Sequence, residues 1–134
     1  LLKKGLELID DKKSLLIEKT KTTIIELIHY SEKYPKINYS DYLGEQLDYN
    51  YNHLSSLFSE ITGTTIGNYI IINKIERVKE LLLYDELTLT EISLLMEYSS
   101  VAHLSHQFKK ITGLTPTYFK KIKQYKKRIM LEEL

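Results

Sequence analysis

The chain carries one stretch twice. Residues 53–63, HLSSLFSEITG, and residues 103–113, HLSHQFKKITG, are identical at seven of eleven positions. In each copy apolar residues recur at helical spacing and the run closes on a glycine, the usual residue beyond a helix end. A duplicated helix needs two equivalent places in the fold, each with the same neighbours. The flanks supply them. Small residues stand ahead of both copies, Gly44 ten positions before Leu54 and Ser93 eleven before Leu104, where the two helices of a unit are expected to cross closely. Each copy is thus the second helix of a two-helix unit, with turns that differ by one residue.

The rest of the chain reads in helices as well. Asp10 and Asp11 mark a start, since carboxylates favour a helix N-terminus. Leu15, Leu16, Ile24, Ile25, Leu27 and Ile28 then give an imperfect apolar stripe, closed before Pro35. Residues 1–9 read as the end of a linker or of a partner domain. The second half of this first helix should pack on the core, and the first half serves as a connector or, second, as a dimer contact. Ser40 is the expected N-cap of a short helix through Leu43 and Leu47, followed by a turn at Asp48 and Tyr49. Asn50 caps the next helix through Leu54, Leu57, Phe58 and Ile61, which Gly63 stops.

Thr64 or Thr65 opens the longest regular stretch, Ile66 to Tyr84, ended by Asp85 and Glu86. Thr88 and Glu91 form a capping box for a helix through Ile92, Leu95 and Met96. A turn over residues 97–100 leads to the helix of Leu104, Phe108 and Ile111, stopped by Gly113. Thr115 and Pro116 are an N-cap and first helical residue for a last helix. The expected architecture is all-α: two helix-turn-helix units joined by a central linker helix, preceded by an extra N-terminal helix. The expected segments are 1–35 (connector and N-terminal helix), 36–126 (double helix-turn-helix domain) and 127–134 (tail).

Charge is unevenly placed. The net charge is only +1, but residues 101–128 hold Lys109, Lys110, Lys120, Lys121, Lys123, Lys126, Lys127 and Arg128 and no acid. Local field rather than net charge attracts phosphate, while a solvated lysine face is the plain alternative. With no cysteine, disulfide and thiolate chemistry are excluded and a reducing compartment is compatible. No apolar run reaches membrane-spanning length and nothing resembles a signal peptide, so the cytoplasm is the expected location. A first residue other than Met points to a fragment of a longer protein.

TLTEISLLMEYSSVAHLSHQFKKITGLTPTYFKK resembles the DNA-binding domain of AraC/XylS-type transcriptional regulators. The residues that carry the resemblance are Thr88, Ser93, Tyr98, Leu104, Phe108, Gly113, Thr115, Pro116 and Phe119 in the second unit. Leu54, Phe58, Gly63, Tyr69, Leu81 and Leu82 match the first unit and linker helix. The likeness covers about residues 38–123. Three positions depart from it: Glu97 replaces the usual turn glycine, Lys74 stands where arginine is common, and Val78 replaces a small alanine. The resemblance implies double-stranded DNA as partner, contact with RNA polymerase, a further N-terminal domain that senses an effector or dimerises, and no cofactor.

Residue chemistry then assigns roles. With the apolar positions facing the core, the outward set near the N-terminal end is Asn52, Ser55, Ser56 and Ser59 on the first recognition helix. On the second it is Val101, Ala102, Ser105 and His106. A recognition helix inserts that end into the major groove, so all but Ser59 are expected base contacts. Asn52 suits adenine, His106 a guanine acceptor, and Val101 or Ala102 a thymine methyl. No Arg or Lys is among them, which tilts the expected site toward A/T. Phosphate contacts are expected from Lys109, Lys110, Lys120, Lys121 and Lys74, and from the helix starts at Thr65 and Thr115. His106 has solvent as an alternative, Ser55 and Ser56 are alternatively plain exposed positions, and His53 and His103 read as packing or backbone contacts. Leu54, Phe58, Leu104 and Phe108 read as core.

Two rival functions stand beside DNA binding. His29, His53, His103 and His106 show no metal-ligand spacing, no glycine-rich phosphate loop is present, and no nucleophile-base-orienter set can be drawn, which speaks against an enzyme. A helical protein-interaction module is the stronger rival, because Glu60 is the one charge on the first recognition helix.

Overall fold

A computed structural model describes the backbone of residues 2–30 and 38–133, with side chains described from residue 11 onward. Every regular element among the described residues is a helix: α1 (Leu2–Ile25, continuing as a wider π turn over Glu26–Tyr30), α2 (Tyr39–Leu47), α3 (Tyr51–Thr62), α4 (Ile66–Tyr84), α5 (Leu89–Leu95), α6 (Val101–Thr112) and α7 (Pro116–Glu132). No described helix is long and apolar enough to cross a membrane.

The N-terminal helix departs from expectation in three ways. It is already helical at Leu2, so Asp10 and Asp11 lie inside it rather than at its start. Neither they nor Gly5 interrupt it, since each costs at most about 1 kcal/mol in a helix interior. The buried set is Ile17, Thr20, Ile24, Leu27 and Ile28, whereas Leu15 is 57% exposed. Thr20 tolerates burial because its hydroxyl donates to the Leu16 carbonyl at 2.8 Å. The expected stop before Pro35 lies outside the described residues.

At the next helix the cap is Asn38, not Ser40. Asn38 Oδ1 accepts from the Ser40 N–H at 3.0 Å. Asn and Ser cap about equally well, so residue type alone could not choose between them. The other ends fall where local chemistry places them. Asn50 caps α3, Thr65 caps α4, Thr88 and Glu91 close a complete capping box on α5, and Thr115 caps α7 with Pro116 as its first residue.

Contacts divide the chain into two compact units, Leu1–Asn73 and Lys74–Leu134. In the first, α1 packs on α2 and α3 around Ile24, Ile28, Leu43, Leu54 and Phe58, all at most 1% exposed. His29 Nε2 meets Asn73 Oδ1 at 3.1 Å, and the Asn73 amide donates to the Tyr69 carbonyl at 2.9 Å, which ties the end of α1 to α4. In the second, Ile75, Val78, Ile92, Met96, Leu104 and Phe108 form the core, again at most 1% exposed. Val78 is fully buried there, so the larger side chain in place of an alanine fills core volume.

The duplication is structural and extends beyond the identical stretch. Thr62 Oγ1 donates to the Phe58 carbonyl at 2.6 Å and Thr112 Oγ1 to the Phe108 carbonyl at 2.8 Å. Each threonine also accepts from the N–H two residues on, Thr64 and Leu114. The Phe58 ring stands 5.6 Å from Tyr69, and the Phe108 ring 5.5 Å from Phe119. Gly63 and Gly113 take φ of +78° and +82°, left-handed values that favour glycine. From the α3 and α6 caps to these aromatic pairs the copies are offset by fifty residues.

Before the caps the offset is forty-nine. The Tyr49 N–H donates to the Gly44 carbonyl at 3.1 Å, and the Tyr98 N–H to the Ser93 carbonyl at 2.9 Å. Asp48 and Glu97 hold the left-handed turn position with φ of +50° and +60°. The extra residue of the second turn is therefore Ser99, and its hydroxyl meets His103 Nδ1 at 3.0 Å. A Cβ at Gly44 would stand 3.4 Å from the Tyr49 carbonyl of the turn, an ordinary contact distance. Ser93 is buried, with its hydroxyl donating to the Thr90 carbonyl at 2.7 Å.

Candidate nucleic-acid interface

The scaffold fixes which face of each second helix is turned outward. Leu54, Phe58, Leu104 and Phe108 are each 0% exposed, so the opposite face of α3 and of α6 meets solvent. On α3, Asn52 and Ser56 are exposed and Ser55 and Ser59 half-buried; on α6, Ala102 and His106 are exposed and Val101 and Ser105 half-buried. The fifty-residue offset pairs Asn52 with Ala102, Ser55 with Ser105, Ser56 with His106, and Ser59 with Lys109. It also pairs Tyr51 with Val101, both half-buried first residues of their helices. Tyr51 was not among the residues read from the sequence, although carrying the offset two residues upstream of the identical stretch would have found it.

At the N-terminal end of α6 several side chains converge on Tyr98, which is 7% exposed. Its hydroxyl donates to Gln107 Oε1 at 2.6 Å, its ring meets the His103 ring edge-on at 5.1 Å, and Lys74 Nζ lies 5.4 Å from the ring centroid. His103, itself exposed, thus stands between Tyr98 and Ser99. Lys74 belongs to the same cluster. Burial pulls its ammonium below the ordinary lysine value, against the opposing pull of the Glu97 carboxylate.

The remaining lysines fall into different settings. Lys109 and Lys110 are exposed in the last turn of α6, where cations also complement the helix dipole. Lys121 is exposed on α7, while Lys120 is half-buried and ion-paired with Asp85 at the end of α4. Lys123 lies over the Phe119 ring at 5.8 Å. The hydroxyls of Thr65 and Thr115 are committed to their caps, accepting from the N–H groups of Asn68 and Tyr118 at 3.0 and 3.2 Å. Beyond them, α4 presents the N–H groups of Ile66 and Gly67, whereas α7 presents only that of Thr117, because Pro116 has none.

Comparison with known proteins places this arrangement. A family profile described as "Helix-turn-helix domain" matches residues 43–122. The F1 operon positive regulatory protein of Yersinia pestis is 32% identical over 108 residues, a match covering 81% of this chain and 36% of that relative. A solved AraC-type transcriptional regulator from Chromobacterium violaceum superposes with a TM-score of 0.65 at 20% identity, covering 78% of this chain and 91% of that one. The DNA-binding domain of AdpA, a global transcriptional factor solved in complex with a target DNA, gives 0.65 at 14% identity, covering 82% and 94%. The chain spans about a third of the length of the Yersinia relative.

Proposed function

Because the chain belongs to the AraC-type helix-turn-helix family of transcriptional regulators, we propose that it binds double-stranded DNA sequence-specifically through the outward faces of α3 and α6. One observation carries this reading: the same buried scaffold occurs twice and each time presents the N-terminal end of one helix, with polar or small side chains at matching positions. Asn52, Ser55 and Ser56 on α3, and Val101, Ala102, Ser105 and His106 on α6, are assigned to base edges. Asn52 pairs with adenine, His106 donates to a guanine acceptor, and Val101 and Ala102 meet thymine methyl groups. None carries a guanidinium or ammonium, so selectivity tilts toward A/T-containing sites.

Affinity is assigned to the backbone contacts. Lys109, Lys110 and Lys121 supply exposed charge, Lys120 joins them by exchanging Asp85 for phosphate, and the helix starts at Thr65 and Thr115 add N–H donors, two at α4 against one at α7. Lys74 holds the N-terminal end of α6 through Tyr98, with any phosphate contact secondary to that. If α4 spaces the recognition helices one DNA turn apart, roughly 34 Å, a single chain reads two successive major grooves. Residues 36–126 would then be the DNA-binding domain. A preceding effector or dimerisation domain, contact with RNA polymerase and a cytoplasmic location belong to the same reading.

Selection of duplexes from a random pool, followed by affinity measurements at rising salt, tests it. The expected result is an enriched asymmetric site whose affinity falls steeply with salt. Absence of salt-dependent duplex binding would instead favour a protein-interaction module.

A further inference from the structure

The last helix carries an apolar stripe that its own unit leaves uncovered. At helical spacing Tyr118, Ile122, Tyr125 and Ile129 fall within about 60° of one another around α7. Phe119, whose ring packs on Phe108 in the core, lies roughly 90° from the centre of that stripe, which is therefore a second face rather than the edge of the first. Tyr118 and Tyr125 are 54% and 62% exposed, and Ile122 and Ile129 are half-buried. From Lys123 to Glu133, Ile129 is the one residue even half-buried, so about three turns of helix run through solvent. A free-standing helix of that length is marginal in water. Like charges four apart, at Lys123 and Lys127, weaken it further. It gains most from a partner that takes up the stripe and the charge together.

The borders of the stripe say which partner. By the same spacing Lys121 and Arg128 flank it on one side and Lys126 on the other, all three exposed. Residues 101–131 contain no acid. A strip of tyrosine and isoleucine, bordered by cations whose aliphatic stems lie along it, matches the boundary between acyl chains and headgroups in an anionic lipid layer. Duplex DNA would take the cations but leave the stripe in water. A second copy of α7 would cover the stripe but set Lys121, Lys126 and Arg128 against their own kind, with acids only at Glu132 and Glu133.

We propose that α7 is an interfacial anchor for a membrane surface rich in anionic phospholipid. Tyr118, Ile122, Tyr125 and Ile129 enter the headgroup region, while Lys121, Lys126 and Arg128 meet lipid phosphates. This binding stands independently of duplex recognition through α3 and α6.

The chain has no tryptophan, so Tyr125→Trp places a single indole fluorophore in the stripe. It is titrated with phosphatidylcholine vesicles containing about 30% phosphatidylglycerol and with pure phosphatidylcholine vesicles. With the anionic vesicles the emission should shift to the blue and be quenched by brominated acyl chains, and the neutral vesicles should bind at least about tenfold more weakly. In the same background K126A/R128A should weaken anionic-vesicle binding by about thirtyfold. Ile129→Ser should weaken it by about tenfold and leave duplex affinity within about twofold. Equal binding to the two vesicle types, vesicle binding without a blue shift at position 125, or full retention of binding in both variants would each overturn the proposal. A blue shift that grows with protein concentration in the absence of lipid would overturn it by assigning the stripe to a second copy. Loss of duplex affinity in K126A/R128A, together with no vesicle binding by the parent chain, would overturn it by assigning the cations to DNA.

Discussion

The hydroxyl of Tyr98, in the turn before the second recognition helix, donates to Gln107 Oε1 in the middle of that helix at 2.6 Å. This bond links the turn to the body of α6 in a way that the first unit, with Tyr49 and Leu57, cannot reproduce. Tyr98→Phe keeps the ring contacts with His103 and Lys74 and removes only the hydroxyl. It should cost about 1 kcal/mol of stability in urea unfolding, the usual net worth of one such bond. In a Gln107→Leu background the same change should cost less than half as much, because the partner is already gone. Equal costs in both backgrounds would mean that the bond adds nothing.

Lys74 gives a prediction with a definite sign. Burial holds its pKa below the ordinary lysine value while the Glu97 carboxylate opposes that fall. Glu97→Gln should therefore lower the Lys74 pKa further, as read from its Nζ-adjacent carbon shifts in an NMR titration. A depressed folded-state pKa means that the unfolded chain binds the proton more tightly. The penalty from Lys74 is thus complete below its folded pKa and disappears as pH rises from there through the unfolded value near 10.5. A Lys74→Met variant should lose that rise in stability, and an unchanged alkaline profile would contradict the burial account.

Gly63 and Gly113 separate backbone conformation from space. Both take left-handed φ, and a Cβ built on either would meet nothing within 4 Å. Alanine at either place should therefore cost only the conformational term, about 1–2 kcal/mol, with no clash added. Thermal unfolding of the two single variants should give similar losses. A clearly larger loss at one of them would show a packing role that its surroundings do not suggest.

Legibility in the sequence followed the range of the interactions involved. Helix ends set by groups within four residues were readable: the Thr88–Glu91 box, Asn50, Gly63, Gly113 and the Thr115–Pro116 pair all sit where the pattern put them. Where two residues cap equally well, as at Asn38 and Ser40, the pattern chose the wrong one. The face of α1 was misjudged for a similar reason. Its buried set includes Thr20, a polar residue satisfied by its own helix, and omits Leu15, which a hydrophobic count admits.

Charge placement needed the fold. Lys120 meets Asp85 thirty-five residues away and Lys74 lies over Tyr98, so neither is a freely exposed cation, and no local rule announces either contact. The outward residues of α3 and α6 were readable because they are the complement of an apolar stripe.

The two classes of assigned DNA contact can be told apart by salt. Lys109 and Lys110 are exposed and occupy positions held by Ser59 and Glu60 in the first unit, so the duplication has been given cations on one side only. If both meet phosphate, changing them together to Ala should flatten the plot of log affinity against log salt by about 1.8. It should also weaken selected and random duplexes alike. Asn52→Ala removes no charge, so the slope should stay while the preference for the selected site over a mismatched one falls by about 1–3 kcal/mol. Both sites are exposed, so urea unfolding of both variants should stay within about 1 kcal/mol of the native chain. Equal losses on every sequence from both variants, with equal slopes, would show that backbone and base contacts have been assigned to the wrong residues.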